Sequence, residues 1–253
     1  MRSGIFGIFR LWAVMVLAAI VSSCRGDGYQ DIKYGGMKGN VQSVTVTHRE
    51  AEIWHVNEKG TDVMYKEASV YDMDGYEISS ARLDADGHVE SEAENIFENG
   101  VCLRSAQKVN GRVVACLTLL EKKKGQLEYN SELNGRIDRM TVKKRSFGRR
   151  HKTTVIQNGV VTSISVMRTD RDGYPVKITE TDAKTGAKIV QVNIYDDNHN
   201  ITEKRVTMDG EEKDQIVYTN YSGFDGKGNW TEARTFNRNH LPIEILEREI
   251  IYW

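Results

Sequence analysis

Apolar and polar residues alternate along most of this chain. Val44 and Val46 oppose Thr45 and Thr47; Val176, Ile178 and Glu180 oppose Lys177, Thr179 and Thr181; Val190, Val192 and Ile194 oppose Gln191, Asn193 and Tyr195. A period of two with one apolar side is the signature of a half-buried antiparallel strand. No long stretch repeats apolar residues at the three- and four-residue spacing of a helix. Turn signals punctuate the alternation: Glu58-Lys59-Gly60, Asp74-Gly75, Asp86-Gly87, Asn99-Gly100, Asn110-Gly111, Lys124-Gly125, Asn134-Gly135, Asn158-Gly159, Asp172-Gly173, Thr185-Gly186, Asn198-His199-Asn200, Asp209-Gly210 and Lys227-Gly228-Asn229. Asn-Gly and Asp-Gly suit two-residue type I′ hairpin turns, in which both central residues need positive φ. A beat of about 12 residues leaves strands of about 8 to 10. The pattern predicts an all-β fold: a long antiparallel meander of β-hairpins in a strongly curved, partly closed sheet, with a β-barrel or a sandwich as the alternatives.

Composition agrees with one folded domain. The 253 residues are 39% hydrophobic and 28% charged, with 22 Gly and 2 Pro, which is not a disordered composition. The net charge of −1 excludes bulk attraction to nucleic acid, but it hides a split. Residues 25–103 hold 7 basic and 16 acidic side chains, residues 104–152 hold 14 and 4, and residues 153–253 hold 12 and 16. A basic middle sits between acidic flanks.

The N-terminus reads as an address. Arg2 and Arg10 precede an apolar run from Leu11 to Val21, too short to span a bilayer comfortably and shaped like a secretory signal. The run ends in Val21-Ser22-Ser23-Cys24, which resembles the lipobox of bacterial lipoproteins. The resemblance implies that residues 1–23 are removed and that Cys24 becomes the lipidated first residue; an uncleaved anchor or an ordinary signal peptide is the alternative. No Asp follows Cys24 directly, which in such lipoproteins favours the outer membrane, on its periplasmic or cell-surface face. Residues 24–40 are Gly-rich and polar and read as a tether, leaving 41–253 as a single all-β domain.

Tyr71-Asp72-Met73-Asp74-Gly75 followed by Leu83-Asp84-Ala85-Asp86-Gly87 resembles a YD repeat of the Rhs type. Asp170-Arg171-Asp172-Gly173 with Asp182 to Gly186, Tyr195-Asp196-Asp197-Asn198-His199-Asn200 and Phe224-Asp225-Gly226-Lys227-Gly228-Asn229 vary the same frame. The similarity covers about residues 65–90 and 168–235. It implies strand-turn-strand strips without catalytic residues of their own, in a small repeat-containing lipoprotein of a kind common in Bacteroidetes-like bacteria. There is no room for the toxin domain of large relatives.

Candidate chemistry is sparse. Asp-x-Asp-Gly at Asp72/Asp74, Asp84/Asp86 and Asp170/Asp172 lacks the flanking acids of an EF-hand loop, because Val70, Arg82 and Arg168 precede and Ala81, Ala93 and Thr179 follow. Those aspartates read as turn residues, and no metal or cofactor is expected. The six histidines are scattered, with His88 and His199 placed in solvated turns, and no nucleophile elbow or phosphate loop occurs. Cys102 and Cys116 read as two buried thiols: about the Asn110-Gly111 turn, Cys116 opposes Ser105 and the two sulfurs lie on opposite faces. The basic clusters Lys122-Lys123-Lys124, Lys143-Lys144-Arg145 and Arg149-Arg150-His151-Lys152 are the leading functional feature. They read either as solvated strand edges or as a patch for an anionic glycan or envelope protein. The expectation is a non-enzymatic, membrane-anchored envelope protein that binds a glycan or a protein. A periplasmic assembly subunit is the second reading, and an enzyme with an acid/base pair assembled across distant strands is the third. The terminal Ile250-Ile251-Tyr252-Trp253 resembles the end of a membrane barrel, yet Glu247 and Glu249 argue against a lipid-facing belt.

Overall fold

The computed structural model describes residues 37–51, 62–209 and 215–253. Cys24, the apolar run before it and most of the tether lie outside the described residues. Sixteen strands follow one another: β1 Val41–Glu50, β2 Val63–Tyr71, β3 Glu77–Asp84, β4 Val89–Glu98, β5 Val101–Val109, β6 Arg112–Lys123, β7 Gln126–Leu133, β8 Arg136–Phe147, β9 Arg150–Gln157, β10 Val160–Thr169, β11 Pro175–Asp182, β12 Lys188–Tyr195, β13 Ile201–Met208, β14 Gln215–Phe224, β15 Trp230–Phe236 and β16 Pro242–Tyr252. Each pairs antiparallel with its sequence neighbours, and β16 returns to pair with β1 from Val41↔Tyr252 to Glu50↔Glu244. The sheet is therefore a closed barrel. Partial closure, the leading sequence expectation, is corrected: the last strand finds a full-length partner in the first. Trp253 itself is 56% exposed, and its backbone N–H donates to the Asn40 carbonyl at 3.0 Å.

Two kinds of turn recur between the strands. At Asn99-Gly100, Asn110-Gly111, Asn134-Gly135 and Asn158-Gly159 both residues have positive φ, 48–49° for Asn and 70–82° for Gly, as a type I′ turn requires. The Asp-Gly turns differ from the sequence expectation. At Asp74-Gly75, Asp86-Gly87 and Asp172-Gly173 an Asp two residues earlier folds its carboxylate back, and only the Gly is left-handed; Gly210 of the Asp209-Gly210 signal lies outside the described residues. Asp72 Oδ1 accepts the N–H groups of Asp74 and Tyr76 at 3.0 and 2.9 Å, and Gly75 has φ 82°. Asp170 repeats this with Asp172 and Tyr174, Asp196 with Asn198 and Asn200, and Asp225 with Lys227 and Asn229. Asn237 does the same for Asn239 and Leu241, in a turn absent from the sequence-based series. The carboxylate replaces water for two loop N–H groups, and the left-handed residue closes a three-residue loop. His199 and His240 hold that position without being Gly, at φ 65° and 58°, a strain of roughly 1–2 kcal/mol. Each ring stacks on a tyrosine, His199 on Tyr174 at 4.0 Å and His240 on Tyr218 at 4.6 Å, so His199 is packed and not simply solvated.

The register divides every strand into lumen-facing and outward-facing residues. Inside, Cys102, Ala115, Leu117, Leu127, Tyr129, Met140, Val142 and Val155 form one apolar cluster under β5–β9, and Val41, Val44 and Tyr71 form another at the β1/β2/β16 seam. Elsewhere the lumen lining mixes apolar residues such as Ile178 and Ala233 with the buried polar residues His48, Asn95, Ser105, Ser131, Asn193 and Thr235. The two cysteines are free; Cys102 is buried, while Cys116 is only half-buried, on the outer face. A bulge between Gln107 and Lys108 places Cys116 opposite Ala106, one residue from the position that the turn alone implies. On β12 the facing is the reverse of what its apolar residues suggest. Gln191 pairs with the inward Ile178, Asn193 is 6% exposed and Ile194 is 49% exposed, so Val190, Val192 and Ile194 point outward.

Outward charges occupy mid-strand positions around the wall, among them Lys66, Glu94, Arg104, Lys143, Arg205 and Glu247. A lipid-facing Lys or Arg at the bilayer midplane costs roughly 2–4 kcal/mol, so four such residues oppose insertion by roughly 10 kcal/mol. This outer wall suits water.

Two residues on β8 test the assignment of faces. Met140→Ala, at a position that is 0% exposed, removes core volume and lowers stability by about 2–4 kcal/mol, whereas Ile137→Ala, at 67% exposure on the opposite face, changes it by less than about 0.5 kcal/mol. Urea denaturation of the two variants checks the difference.

Candidate functional site: a cationic outer wall

The turns between even- and odd-numbered strands lie at the barrel end where the chain enters through Met37–Asn40, and the others lie at the far end. At the entry end, opposite the β1/β16 seam, the basic middle of the sequence becomes a surface. Outward-facing residues on β8 are Ile137, Arg139, Thr141, Lys143, Arg145 and Phe147; on β9 they are Arg150, Lys152, Thr154 and Ile156. The wall continues with Val161, Ile164, Val166 and Arg168 on β10 and Lys177, Thr179 and Thr181 on β11. It holds seven cations and no carboxylate.

Cations also oppose one another directly across the ladder. Arg145 pairs with Lys152, Arg150 with Arg168, and Arg168 with Lys177. Like charges in directly opposed positions are destabilising. Elsewhere on the wall some cations are neutralised: Lys108 lies 3.1 and 2.8 Å from Glu92 and Glu94, and Arg49 lies 2.9 Å from Glu247. Among the described residues, none of the seven cations has a carboxylate partner within 4.0 Å. At the rim, Phe147, Arg149, Arg150, Arg168, Thr169 and Val176 line a shallow depression of about 420 Å³, where Phe147 is 66% exposed.

Of the nine basic residues singled out from the sequence, Lys143, Arg145, Arg150 and Lys152 share the outer wall, and Arg149 joins them in the β8–β9 turn. Lys122 and Lys144 take the opposite face, Lys122 opposite Leu127 and Lys144 opposite Thr153. Lys123 is paired with Glu121 at 2.7 Å, and Lys124 lies in the β6–β7 turn. Arg139, Phe147, Arg168 and Lys177 escaped the sequence reading because they are not in basic runs. The Asn158-Gly159 turn signals that β9 and β10 pair, but a bulge between Val161 and Ser163 sets the slip that places Arg168 opposite Arg150.

A second ionisable group sits in the lumen, assembled from four strands. His48 Nδ1–H donates to Glu244 Oε1 at 2.6 Å, its Nε2 lies 3.6 Å from Glu67, its ring stacks on Tyr65 at 4.0 Å, and Arg82 covers the other side of Tyr65 at 3.7 Å. Burial lowers the His48 pKa, but the hydrogen bond to Glu244 and the charges of Glu244 and Glu67 outweigh it and raise the pKa to about 9. The imidazole is held as a cation between carboxylates, which makes it a poor general base at neutral pH. Asp84, Asp86 and His88, and likewise Asp170, Asp172 and His199, bring ligand-type atoms within 4.8 Å of one another, but Asp84 and Asp170 already accept backbone N–H groups there.

No family model and no curated protein matches the chain. Among solved structures it is similar to a porin-like protein from Bacteroides vulgatus, with 11% identity, a TM-score of 0.42 and coverage of 85% of this chain and 99% of that one. It is also similar to a porin-like protein from Bacteroides uniformis, with 9% identity, a TM-score of 0.29 and coverage of 83% and 96%. Neither likeness bears on function.

The raised pKa of His48 gives stability a defined pH dependence. Its contribution, up to about 3 kcal/mol, is fully present below about pH 6.5 and is lost as pH rises through about 9. The urea midpoint of the native protein therefore falls between pH 6.5 and 9.5, and His48→Gln flattens that part of the profile.

Proposed function

We propose that this protein is a non-enzymatic envelope lipoprotein, held at the outer membrane through Cys24, whose barrel carries an outer wall that binds an anionic glycan. The observation behind this reading is the set of seven cations on β8–β11 without a carboxylate among them, three pairs of which directly oppose each other. Self-repulsion at this density is relieved when a polyanion lies across the strands. Neighbouring strands are about 4.8 Å apart, so the row Arg150–Arg168–Lys177 presents a charge on each of three consecutive strands to an extended chain. Phe147 and Val176 beside the arginines add an apolar surface for a sugar ring. The outward charges around the rest of the wall support a water-borne barrel, and the signal-like run ending in Cys24 supplies an anchor that does not need membrane-spanning strands.

Retention on immobilised dextran sulfate tests the wall. The native protein is retained at low salt, and Arg150→Glu with Arg168→Glu weakens binding by about tenfold or more, with the difference shrinking as salt rises. Cys24→Ser, in turn, moves the protein from the membrane to the soluble fraction. Equal retention of the double variant overturns the binding reading, and membrane retention of the Cys24 variant overturns the anchor.

A further inference from the structure

The lumen holds a cation of a different kind. Arg248, inward-facing on β16, lays its guanidinium 3.4 Å above the Trp230 ring, and Trp230 in turn leans on Tyr221 at 5.4 Å and 43°. Nε and Nη1 of Arg248 are enclosed and have no hydrogen-bond partner. A buried guanidinium is normally matched by a carboxylate or by carbonyls, since five N–H donors withdrawn from water otherwise go unmet.

The nearby lumen carboxylates are committed to other groups. Glu244 is bonded to His48 at 2.6 Å. Glu67 is shared between His48 at 3.6 Å and Arg82 at 4.0 Å. Asp225 accepts the Tyr252 hydroxyl and the backbone N–H groups of Lys227 and Asn229. The Tyr221 hydroxyl donates to the Ile201 carbonyl at 2.8 Å and is likewise committed. Burial lowers the Arg248 pKa to about 10, because desolvation outweighs the opposing charge of Asp225, which is already bonded to Tyr252.

Solvent reaches this level of the barrel. Val46 is flanked in register by Arg248 on one side and Glu67 on the other, and the lumen-facing Glu67 side chain is 53% exposed. Trp230 begins β15 and Tyr71 ends β2, so both lie at the entry end, and Arg248 sits just inside that mouth.

We propose that Arg248, backed by Trp230 and Tyr221, is a binding site for a small carboxylate that enters the lumen through the entry end. The planar fork of an arginine matches two carboxylate oxygens, and one enclosed positive charge is balanced by one negative charge, which favours a monoanion over a phosphate dianion. The aromatic face fixes the plane of the guanidinium, which lowers the cost of ordering it, and a ligand reaches the enclosed Nη1 or Nε by displacing the side chains that cover them. This site lies on the opposite side of the sheet from the cationic wall and does not depend on it.

Isothermal titration of the mature protein tests the assignment, with galacturonate, N-acetylglycine, galactose and inorganic phosphate as probes. Galacturonate binds saturably and galactose does not. N-acetylglycine binding equally well assigns the carboxylate alone, and weaker binding shows that the sugar ring contributes. Arg248→Met abolishes binding yet raises the thermal midpoint of the ligand-free protein, because an unmatched cation is removed. Arg248→Lys, which keeps the charge and loses the fork, weakens binding at least tenfold. Arg150→Glu with Arg168→Glu leaves it unchanged. The assignment is overturned if neither carboxylate binds the native protein, if phosphate binds as tightly as galacturonate, or if Arg248→Met or Arg248→Lys binds within twofold of the native protein.

Discussion

The ladder between β1 and β16 is the constraint on which the rest of this molecule depends. A sixteen-strand meander left open would expose two edges of unpaired N–H and C=O groups, each a template for pairing with another chain. Pairing Val41–Glu50 with residues 244–252 removes both edges at once. It also gives the sheet an inside and an outside. From then on each side chain belongs to the lumen or to the wall, and the pairing carries that assignment from strand to strand around the ring.

That propagation explains why β12 turns its apolar residues outward. Taken alone, Val190, Val192 and Ile194 look like a core face. In the barrel, Gln191 is opposite Ile178 and Asn193 opposite Lys204, both inward, so the valines have no choice of side. The lumen accepts Gln191 and Asn193 because their polar groups are satisfied there: Gln191 Nε2 donates to Asn193 Oδ1 at 2.9 Å, and Asn193 Nδ2 donates to the Pro175 carbonyl at 2.9 Å. The residue just after an entry-end turn has its carbonyl capped in the same way elsewhere. Asn95 caps Glu77 at 3.0 Å, Tyr195 caps Pro175 and Tyr221 caps Ile201, both at 2.8 Å. At these points the register slips by one residue, and a side chain from the next strand bonds the carbonyl. The recurring aromatic and Asp in the sequence thus have separate duties. Asp builds the turn, and Tyr or Asn satisfies the carbonyl that the turn leaves behind.

The strands and most turns were readable from the chain because both rest on local chemistry: alternation of side chains, left-handed Gly, and Asp folding back on its own loop. Closure was not, since nothing local in Val41–Glu50 or Pro242–Tyr252 says that they meet. The bulges near Lys108 and Val161 were equally hidden, and each moves a partner by one residue. The cationic wall was half visible. Runs such as Lys143-Lys144-Arg145 announce charge but not facing, and pairing sends Lys144 away while bringing in Arg168 and Lys177, which stand alone in the sequence. The lumen groups His48, Glu67, Glu244 and Arg248 lie on β1, β2 and β16, and only closure brings the first two strands to the last.

Placement of charge separates what serves the fold from what does not. Several ionic residues here are matched across the ladder: Lys108 with two glutamates, Arg49 with Glu247, His48 with Glu244. Such matching costs little sequence, because any neighbouring position on an antiparallel ladder can supply the partner. Two sets stand out among the charges without a partner: the outer cations of β8–β11, which crowd together across the ladder, and the guanidinium of Arg248, whose Nε and Nη1 are shut away from water. Substituting Thr or Glu at the first, or Met at the second, would remove repulsion or desolvation that the fold now bears. A local rule broken without compensation inside the molecule points to compensation from outside it. The two sets differ in the partner they imply. Seven exposed charges spread over four strands call for a long, weakly held polyanion, screened by salt. One guanidinium clamped on an indole calls for a single small anion, held by geometry.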